Sequence, residues 1–319
     1  MFTGVFLILG RREAKLPRSF MVLSLRSMGA TAAAGGLIGG VWLWQQRGRT
    51  LAGGNPAHAL RPGSPLVVEL ESKHWVSHDA ARLRFALPDE QQLGVPLPGH
   101  VVVVDAATNY RPYTPITIDS QARGYFELLV RHYPHGEFSS KLCRLQPGDQ
   151  ATFFGPVGNR FTYEPGMARR LGLVAAGTGI APMWQIIQAV LADATDKTEI
   201  SLVFACRSAN DILLQAELER ARAAHPEQLH IRYVVPRLEA GPSQPHVSVG
   251  RIDDPDLLRS ALPKAGEESV KLLVCGPEGM LRTLCGPGAR DTSDPNCRKP
   301  PLGGLLAQLG YLDSQVDWL

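Results

Sequence analysis

The chain has 319 residues, of which 44% are hydrophobic and 20% are charged, and this is an ordinary globular composition with room for two domains. Seven of its 33 basic residues but only one of its 30 acidic residues lie in the first 50 positions, so the remainder holds 26 basic against 29 acidic residues. The basic charge therefore belongs to the N-terminus, which excludes a body built to bind nucleic acid.

The cysteines are odd in number and scattered, without a CxxC pair. This spacing supports neither a disulfide framework nor a zinc site, so we expect reduced thiols and no bound metal. The five residues are Cys143, Cys206, Cys275, Cys285 and Cys297.

Residues 1–50 are predicted to be a mitochondrial targeting segment that also contains a membrane anchor. The segment is poor in acids and mixes Arg and Ser with apolar residues, as mitochondrial presequences do. Its uncharged stretch 28–44 ends in Trp42 and Trp44, and it approaches the ~20 residues that span a bilayer. A targeting segment that is wholly cleaved is the alternative. A secretory signal is disfavoured because the apolar residues 1–10 precede the first positive charge.

Residues 51–64 contain several Gly and Pro and predict a tether between membrane and body. The following part, 65–166, consists of short β-rich runs separated by Pro and Gly, with a single helix near 138–145. This pattern predicts a small antiparallel barrel. The runs are 66–70, 81–85, 100–105, 111–116 and 125–133.

Residues 167–319 show a different pattern, in which apolar strands alternate with helices. Such alternation predicts an α/β domain with a parallel sheet covered on both faces. The predicted strands are 171–176, 200–206, 231–235 and 270–275, and the predicted helices begin at Pro182 and near residue 213. We place the boundary between the domains near Glu164-Pro-Gly166.

The first chemical pattern is Arg111-Pro-Tyr-Thr-Pro-Ile116. Two prolines hold the segment extended, so Arg111, Tyr113 and Pro115 are expected to share one face. A cation, a planar ring and a small hydroxyl on one short strand suit a flavin. Taken alone, the segment is better explained as an edge strand that carries a solvated arginine, and the motifs that follow it favour the flavin.

The second pattern is Gly177-Thr-Gly179, which follows a predicted strand. Glycines there let a phosphate approach the backbone, and Pro182 at the first helical position needs no N–H partner. The run is not a full GxGxxG because Pro182 takes the place of the third glycine. A glycine-rich turn of an unrelated α/β domain remains the alternative.

In this order, the motifs resemble the NADH-cytochrome b5 reductase family of the ferredoxin-NADP reductase superfamily, from about residue 65 to the C-terminus. The matching segments are Arg111–Thr114, Tyr133–Ser140, Gly155–Gly158, Gly177–Gly179, Asp211–Leu214 with Glu217 and Glu219, Cys275–Met280 and Gly310–Tyr311. Each is short, but their order is improbable for an unrelated pair of domains. The resemblance implies a six-stranded antiparallel FAD-binding barrel, closed by a turn at Gly155–Gly158, followed by a Rossmann-like NAD(P)-binding domain.

The resemblance also implies roles for individual residues. Arg111 would meet the FAD phosphates, Tyr113 would pack on the isoalloxazine, and the Thr114 hydroxyl would lie near flavin N5. Thr114 and Cys275 are the predicted catalytic residues, with Cys275 positioning the nicotinamide rather than acting as a covalent nucleophile. A small buried residue at the end of a strand is the alternative for Cys275.

The predicted cofactor-binding residues form two groups. On the flavin side they are Arg111, Pro112, Tyr113, Thr114, Val130, Arg131, Tyr133, Gly136, Glu137, Phe138 and Ser139. On the nucleotide side they are Gly177, Thr178, Gly179, Ala181, Pro182, Arg207, Cys275, Gly276, Pro277 and Met280.

The implied reaction is hydride transfer from NADH to FAD, followed by release of single electrons to a haem protein such as cytochrome b5. No His-Pro-Gly-Gly segment or iron-sulfur run is present in the sequence, so a separate acceptor is expected. Lys73, Arg82 and Lys141 are candidate contacts for that acceptor, although scattered solvated charge is the favoured interpretation of these residues. We expect a monomer held in the outer membrane or intermembrane space of the mitochondrion, with the endoplasmic reticulum as the alternative location.

The chain also departs from the family pattern. Ala181 replaces a usual Thr, and Pro236 stands where NADH-specific members carry an acid that meets the adenosine ribose. Arg207 and Arg237 lie nearby and could accept a 2′-phosphate, so NADPH stays open, with NADH favoured. Residues 291–301 look like an insertion, and the sequence ends in Asp317-Trp-Leu319. Two alternatives remain: an NADPH-dependent reductase for another acceptor, and a flavin-free, nucleotide-binding membrane interaction protein.

Overall fold

The computed structural model describes residues 57–104, 109–158, 161–237, 246–289 and 299–319. The predicted targeting segment and anchor at 1–50 lie outside these residues, as does most of the predicted insertion at 291–301. In the described ranges, no helix combines the length and the apolar character needed to cross a membrane.

The first domain is a six-stranded sheet in which every neighbouring pair is antiparallel, as predicted. Its strands are β1 (Leu66–Trp75), β2 (Ala80–Ala86), β3 (Gly99–Val104), β4 (Tyr110–Tyr113), β5 (Tyr125–Arg131) and β6 (Gln150–Gly158). They follow the order β4-β3-β6-β1-β2-β5. The segment that continues β4 reaches the opposite edge strand, where Pro115 bridges Leu128 and the Ile116 N–H donates to the Glu127 carbonyl at 2.8 Å. This pairing closes the sheet into a barrel.

The barrel core follows from the alternation of side chains along its strands. In β1, Leu66, Val68 and Leu70 are buried, while the residues between them are exposed. Three rings at the centre, those of Phe85, Phe126 and Phe153, have centroids 5.0 to 5.3 Å apart.

The structure corrects one expectation for this domain and adds detail to a second. Gly155–Gly158 is the end of strand β6, with Gly158 opposite Gly99 of β3, and not a turn. The described part of the predicted tether packs on the barrel: Ala59 and Leu60 donate their N–H groups to Gln92 and Leu93, and Leu60 is buried in the core. The apolar side chain of Leu60, in a stretch that is otherwise rich in turn residues, could have indicated this packing.

The second domain has six strands that all run parallel, and the predicted parallel sheet is confirmed. The strands are β7 (Arg170–Ala176), β8 (Glu199–Ala205), β9 (Leu229–Val235), β10 (Val247–Val249), β11 (Val270–Cys275) and β12 (Val316–Trp318), in the order β10-β9-β8-β7-β11-β12. The interior strands β7 and β11 are almost wholly buried, as expected for a sheet covered on both faces.

The described helices of the chain are short and flank these sheets. They are α1 (Glu137–Arg144), α2 (Ile180–Ala192), α3 (Gln215–Ala224), α4 (Pro255–Ala261), α5 (Glu278–Cys285) and α6 (Gly304–Gln308). Helix α2 begins two residues before the predicted start, so Pro182 is its third residue. Proline is still tolerated there because N–H groups of the first turn have no intrahelical acceptor.

The two domains share a core and several polar contacts. Ile116 and Leu129 of the barrel pack in one apolar cluster with Met183 of helix α2. From the same helix, Gln188 donates to the Ile116 carbonyl at 3.0 Å, and Gln185 accepts the Gly99 N–H at 3.0 Å. The helix that follows the glycine turn therefore docks the nucleotide domain on the barrel.

Two of the candidate acceptor contacts, Lys73 and Arg82, have structural partners within the chain. Lys73 Nζ donates to the carbonyls of Cys143 and Leu145 at the end of α1, at 3.2 and 2.6 Å. Arg82 forms ion pairs with Glu127 and, across the domain boundary, with Glu217 at 2.7 Å. Lys141 forms an exposed pair with Glu137 one helical turn away.

Candidate active site

A cleft of about 1220 Å³ lies between the two domains. Every predicted site residue except Met280 lines it, so the structure brings both predicted groups together. Its walls are the end of β4, the loop and first turn of α1, and the carboxyl ends of β7, β8 and β11. Ligands bind at this edge of parallel sheets because the strand ends and helix N-termini meet there.

Strand β4 forms part of the barrel wall of the cleft. In its register Arg111 lies opposite Val103 and Tyr113 opposite Val101, so the two side chains share a face as predicted. The Arg111 guanidinium lies 5.6 Å from the Phe138 ring and donates to the Tyr110 carbonyl at 2.8 Å. Burial raises the pKa of the Tyr113 phenol well above its ordinary value, and nearby Arg111 only partly opposes this rise. The ring therefore remains neutral at physiological pH.

The loop before α1 is shaped to receive an anion. Ser139 Oγ accepts the Tyr133 N–H at 3.3 Å, and Ser140 Oγ donates to the Tyr133 carbonyl at 2.8 Å. A Cβ on Gly136 would lie 2.6 Å from Ser139 Oγ, so only glycine fits this bend. The N-cap residue of α1 is Gly136, which has no side chain to cap the helix. Its first N–H groups and the Arg111 cation therefore suit a pyrophosphate.

The nucleotide wall is built around a close approach of two strand ends. Strand β7 runs into a 3₁₀ turn, Gly177–Gly179, which leads directly into α2. Gly177 has φ +56° and open space beside it, whereas a Cβ on Gly179 would lie 2.3 Å from the Cys275 carbonyl oxygen. Glycine at 179 thus lets the phosphate turn pack against the end of β11.

Met280 does not line the cleft, contrary to its predicted role. It is buried in α5, and its Cε would lie 2.6 Å from a Cβ on Gly276. It therefore supports the Cys275–Pro277 turn from below. Cys275 itself ends β11 and lines the cleft on the nucleotide side, while Thr114 lines it on the flavin side.

An ion-pair cluster joins the domains at one end of the cleft. Arg207 Nη2 lies 2.7 Å from Asp79 Oδ2 and 3.4 Å from Asp211 Oδ1, and Arg131 Nη1 lies 3.6 Å from Asp79 Oδ2. Asp79 belongs to the turn between β1 and β2, whereas Arg207 and Asp211 follow β8.

Burial alone would raise the pKa of the Asp79 carboxyl, but the hydrogen bond with Arg207 and the charges of Arg131 and Arg207 outweigh it. They hold this pKa below its usual value. His78, Asp79 and Asp211 also place one possible metal-ligand atom each within 4.8 Å of one another. The Arg207 guanidinium supplies the positive charge at this position, and we assign no metal to it.

The surroundings of Arg131 indicate whether the cleft fits a flavin nucleotide. Its side chain is only 10% exposed and lines the cleft, yet its Nε has no hydrogen-bond partner among the described residues. A buried donor without an acceptor costs about 1–3 kcal/mol, so this atom calls for a ligand oxygen. The unpaired Arg131 donor, the N-terminus of α1 and the neutral Tyr113 ring together suit the binding of FAD.

Models of two protein families match the chain. The oxidoreductase FAD-binding domain matches residues 67–163, and the oxidoreductase NAD-binding domain matches residues 173–286. NADH-cytochrome b5 reductase 1 of Eremothecium gossypii is 40% identical over 216 residues, which are 66% of this chain and 74% of the relative. The chain belongs to the NADH-cytochrome b5 reductase family.

Other members of the NADH-cytochrome b5 reductase family extend this likeness. An NADH-cytochrome b5 reductase-like protein of Arabidopsis thaliana is 35% identical over 270 residues, covering 82% of this chain and 78% of its own. The crystal structure of the cytochrome b5 reductase domain of Ulva prolifera nitrate reductase matches with a TM-score of 0.68 at 32% identity, over 82% of this chain and all of that domain. This NADH-cytochrome b5 reductase family member is an oxidoreductase whose cofactors are FAD and NADH.

Several residues that line the cleft of this reductase family member were not among the predicted site residues. They are His100, Asn109, Leu129, His135, Ala176, Ala205, Cys206, Asp211, Pro236 and Leu319. Of these, His135 and Asp211 lie in segments that match the family, and Pro236 was compared with the acid that meets the ribose. Ala205 and Cys206 could have been found because carboxyl ends of parallel strands face the ligand. Burial, with the nearby Asp211 carboxylate, raises the pKa of the Cys206 thiol to about 12, so this thiol stays protonated. His100 and Leu129 lie in barrel strands, where residue type alone did not distinguish them from core.

Proposed function

We propose that this protein takes a hydride from NADH and passes electrons singly to a haem protein of the cytochrome b5 type. One observation carries the proposal: the flavin-side residues Arg111–Thr114 and the nucleotide-side turns at Gly177 and Cys275 line the same cleft. The names of the relatives support cytochrome b5 as the acceptor.

The chain contributes geometry and electrostatics to this reaction. Arg111 and the N-terminus of α1 hold the pyrophosphate of the flavin nucleotide, and Arg131 offers its unpaired donor to the same ligand. FAD, when bound, would supply the redox chemistry that accepts two electrons as a hydride and releases them one at a time. The shared core between the domains holds Thr114 of the barrel and Cys275 of the nucleotide domain in one cleft, which orders the reactants.

An absorption titration of the purified full chain in detergent tests this proposal. We expect flavin bands that bleach rapidly with NADH under anaerobic conditions, followed by reduction of added ferric cytochrome b5 at a catalytic concentration of the protein. Bleaching by NADH without onward reduction of cytochrome b5 would retain the reductase and reject this acceptor. A protein that shows no flavin bands after FAD is added would reject the reductase itself.

We also propose that residues 1–50 deliver the protein to a mitochondrial membrane and anchor it there. The acid-poor composition and the uncharged stretch 28–44 support this location. Protease treatment of isolated mitochondria tests it, because cleavage in intact organelles indicates the outer face, and cleavage only after rupture of the outer membrane indicates the intermembrane space. Recovery in microsomes instead would favour the endoplasmic reticulum.

A further inference from the structure

We propose that Asp79, which belongs to the flavin domain, sets the preference for NADH by holding the Arg207 guanidinium in an ion pair between the domains. The inference rests on the use of a nicotinamide nucleotide in the proposed function. It concerns recognition of the 2′ position of the adenosine ribose, and it assigns that task to a residue outside the nucleotide domain.

The fold places Arg207 where the ribose is recognised. In sheets of this type the pyrophosphate sits at the turn after the first strand, and the ribose meets side chains just beyond the second. Strand β7 carries the phosphate turn, β8 is its hydrogen-bonded neighbour, and Ala205, Cys206 and Arg207 line the cleft at the end of β8. Pro236, at the end of the next strand β9, lines the same end of the cleft and offers no side-chain hydrogen bond.

An arginine at this place would favour a 2′-phosphate if it were available. Here its Nη2 already contacts Asp79 Oδ2 at 2.7 Å and Asp211 Oδ1 at 3.4 Å, and Arg131 lies 3.6 Å from the same Asp79 oxygen. Two guanidinium groups thus face two carboxylates, with His78 Nδ1 3.5 Å from Asp211. The charges of the two guanidinium groups are balanced by those of the two carboxylates, so these four side chains offer no net positive charge to a phosphate.

The two dinucleotides therefore meet the cluster differently. A phosphate monoester carries a charge of about −1.5 to −2 at neutral pH and would have to displace Asp79 from Arg207. A ribose 2′-hydroxyl is neutral and can donate to a carboxylate oxygen while the ion pair remains intact. Asp79 thus selects against NADPH both by occupying the cation and by repelling the phosphate.

Asp79 rather than Asp211 is the residue to change. Asp211 lies farther from Arg207, accepts a hydrogen bond from Ser208 at 3.1 Å and is nearly buried within the nucleotide domain. Asp79 makes the shorter contact and comes from the other domain, with Ser77 donating to it at 3.1 Å. Asn at 79 keeps a hydrogen-bond acceptor for Ser77 but removes the charge that holds Arg207.

The test compares wild type, Asp79→Asn, Arg207→Gln and the double variant. Calorimetric binding of 2′,5′-ADP and of 5′-ADP to the FAD-loaded full chain reads ribose recognition without turnover, and stopped-flow bleaching of the flavin by NADPH and NADH gives the matching rates. We expect Asp79→Asn to raise the ratio of 2′,5′-ADP to 5′-ADP affinity about tenfold, within the range of measured site-coupling effects. The double variant should lose most of that gain, because Arg207 is then absent.

Glu217→Gln is the matched control, since it breaks another ion pair between the domains, 2.7 Å from Arg82, away from the cleft. It should leave the affinity ratio unchanged. The proposal is overturned if Asp79→Asn leaves the ratio unchanged while retaining FAD, or if the double variant gains as much as the single one. These binding measurements involve no electron acceptor, so their failure is distinguishable from failure of the proposed acceptor.

Discussion

Arg111 and Gly179 show how much of the cleft depends on single atoms. Arg111 could be predicted because a cation beside a ring and a hydroxyl on a proline-stiffened strand is an unusual combination. Gly179 was predicted as a phosphate contact. Its close packing against the Cys275 carbonyl was not predicted, because the two residues are far apart in sequence. The local sequence pattern therefore identified both residues, but it did not predict which distant residues they pack against.

Replacing Arg111 with Ala should weaken FAD binding. The side chain is exposed next to the uncapped N-terminus of α1, so its main loss is a charged contact with the ligand, worth about 1.5–3 kcal/mol, or a 10- to 100-fold higher dissociation constant. Equilibrium dialysis against FAD measures the change. Arg144→Ala, at the exposed end of the same helix, is the control. Equal FAD retention in the two variants would contradict the assignment of Arg111.

Replacing Gly179 with Ala should both destabilise the protein and impair nucleotide binding. The added Cβ would lie 2.3 Å from the oxygen and 2.6 Å from the carbon of the Cys275 carbonyl, so the backbone itself must move. We expect a loss of about 1–3 kcal/mol in the free energy of unfolding, measured by urea denaturation with FAD present. Gly279→Ala is the control, because nothing lies within 4 Å of its Cβ and alanine favours a helix. Similar free energies of unfolding for the two variants would contradict the close packing of Gly179 against the Cys275 carbonyl.

Secondary structure elements were predicted best where their residues carry a strong local pattern. The strands β7 and β11 are mostly apolar, and the start of α2 follows a glycine turn, so all three were predicted. The bounds of β11 agree with the prediction, β7 begins one residue earlier, and α2 begins two residues earlier. Strands β10 and β12 have three residues each and hold too few side chains to show a period. The packing of residues 57–60 on the barrel was missed because Gly and Pro around Leu60 resemble a linker.

Helix α1, which presents its N-terminus to the cleft, depends on a lysine from strand β1. Replacing Lys73 with Met should remove both hydrogen bonds to the carbonyls at the end of this helix. We expect a loss of about 1.5–3 kcal/mol in the free energy of unfolding, together with weaker FAD retention, because charged hydrogen bonds to the helix end are lost. Thermal denaturation and dialysis measure the two effects.

Lys141→Met on the exposed face of the same helix is the control. Its pair with Glu137 is worth about 0.3–0.5 kcal/mol, so little should change. If Lys73→Met instead raised the KM for cytochrome b5 without affecting stability or FAD, the acceptor-contact interpretation of Lys73 would be favoured and its structural role rejected.

At the scale of the whole molecule, the decisive contacts join parts distant in sequence. Arg207 and Asp79 are separated by 128 positions, and Arg82 and Glu217 by 135. Residue type suggested roles for Arg207 and Arg82, but nothing local indicates their partners, and Asp79 was not among the predicted site residues. The two-domain architecture could therefore be predicted, whereas the charge balance of the cleft required the fold.

The contact between Tyr163 and Asp196 should make stability depend on acid pH. The Tyr163 hydroxyl, just after the barrel, donates to the Asp196 carboxylate, which also accepts from Thr198 at 2.7 Å. Burial raises the pKa of Asp196, but the hydrogen bonds from Tyr163 and Thr198 outweigh this and lower it below the ordinary value. The charged form is thus favoured in the folded state. Its stabilisation is present above the unfolded-state pKa of about 3.9 and is lost as the pH falls through the folded-state pKa.

Asp196→Asn should therefore lower the free energy of unfolding by about 1–2 kcal/mol at pH 7 and by progressively less below about pH 4. Urea denaturation at both pH values measures the difference from wild type. Asp256→Asn, at an exposed position in α4, should show little effect at either pH. A deficit for Asp196→Asn that is as large in acid as at neutral pH would rule out the charged carboxylate as the source of stability.

The segment after β4 has two tasks, since Arg111–Thr114 line the cleft while Pro115 and Ile116 close the barrel against β5. A ligand that binds only the folded state stabilises it by mass action. Here the ligand would also hold in place the segment that closes the barrel against β5. Supply of the vitamin precursor of FAD should therefore govern how long each polypeptide survives cellular proteolysis, as well as how many copies are active. In a riboflavin-starved cell, the amount of this protein would fall along with its activity.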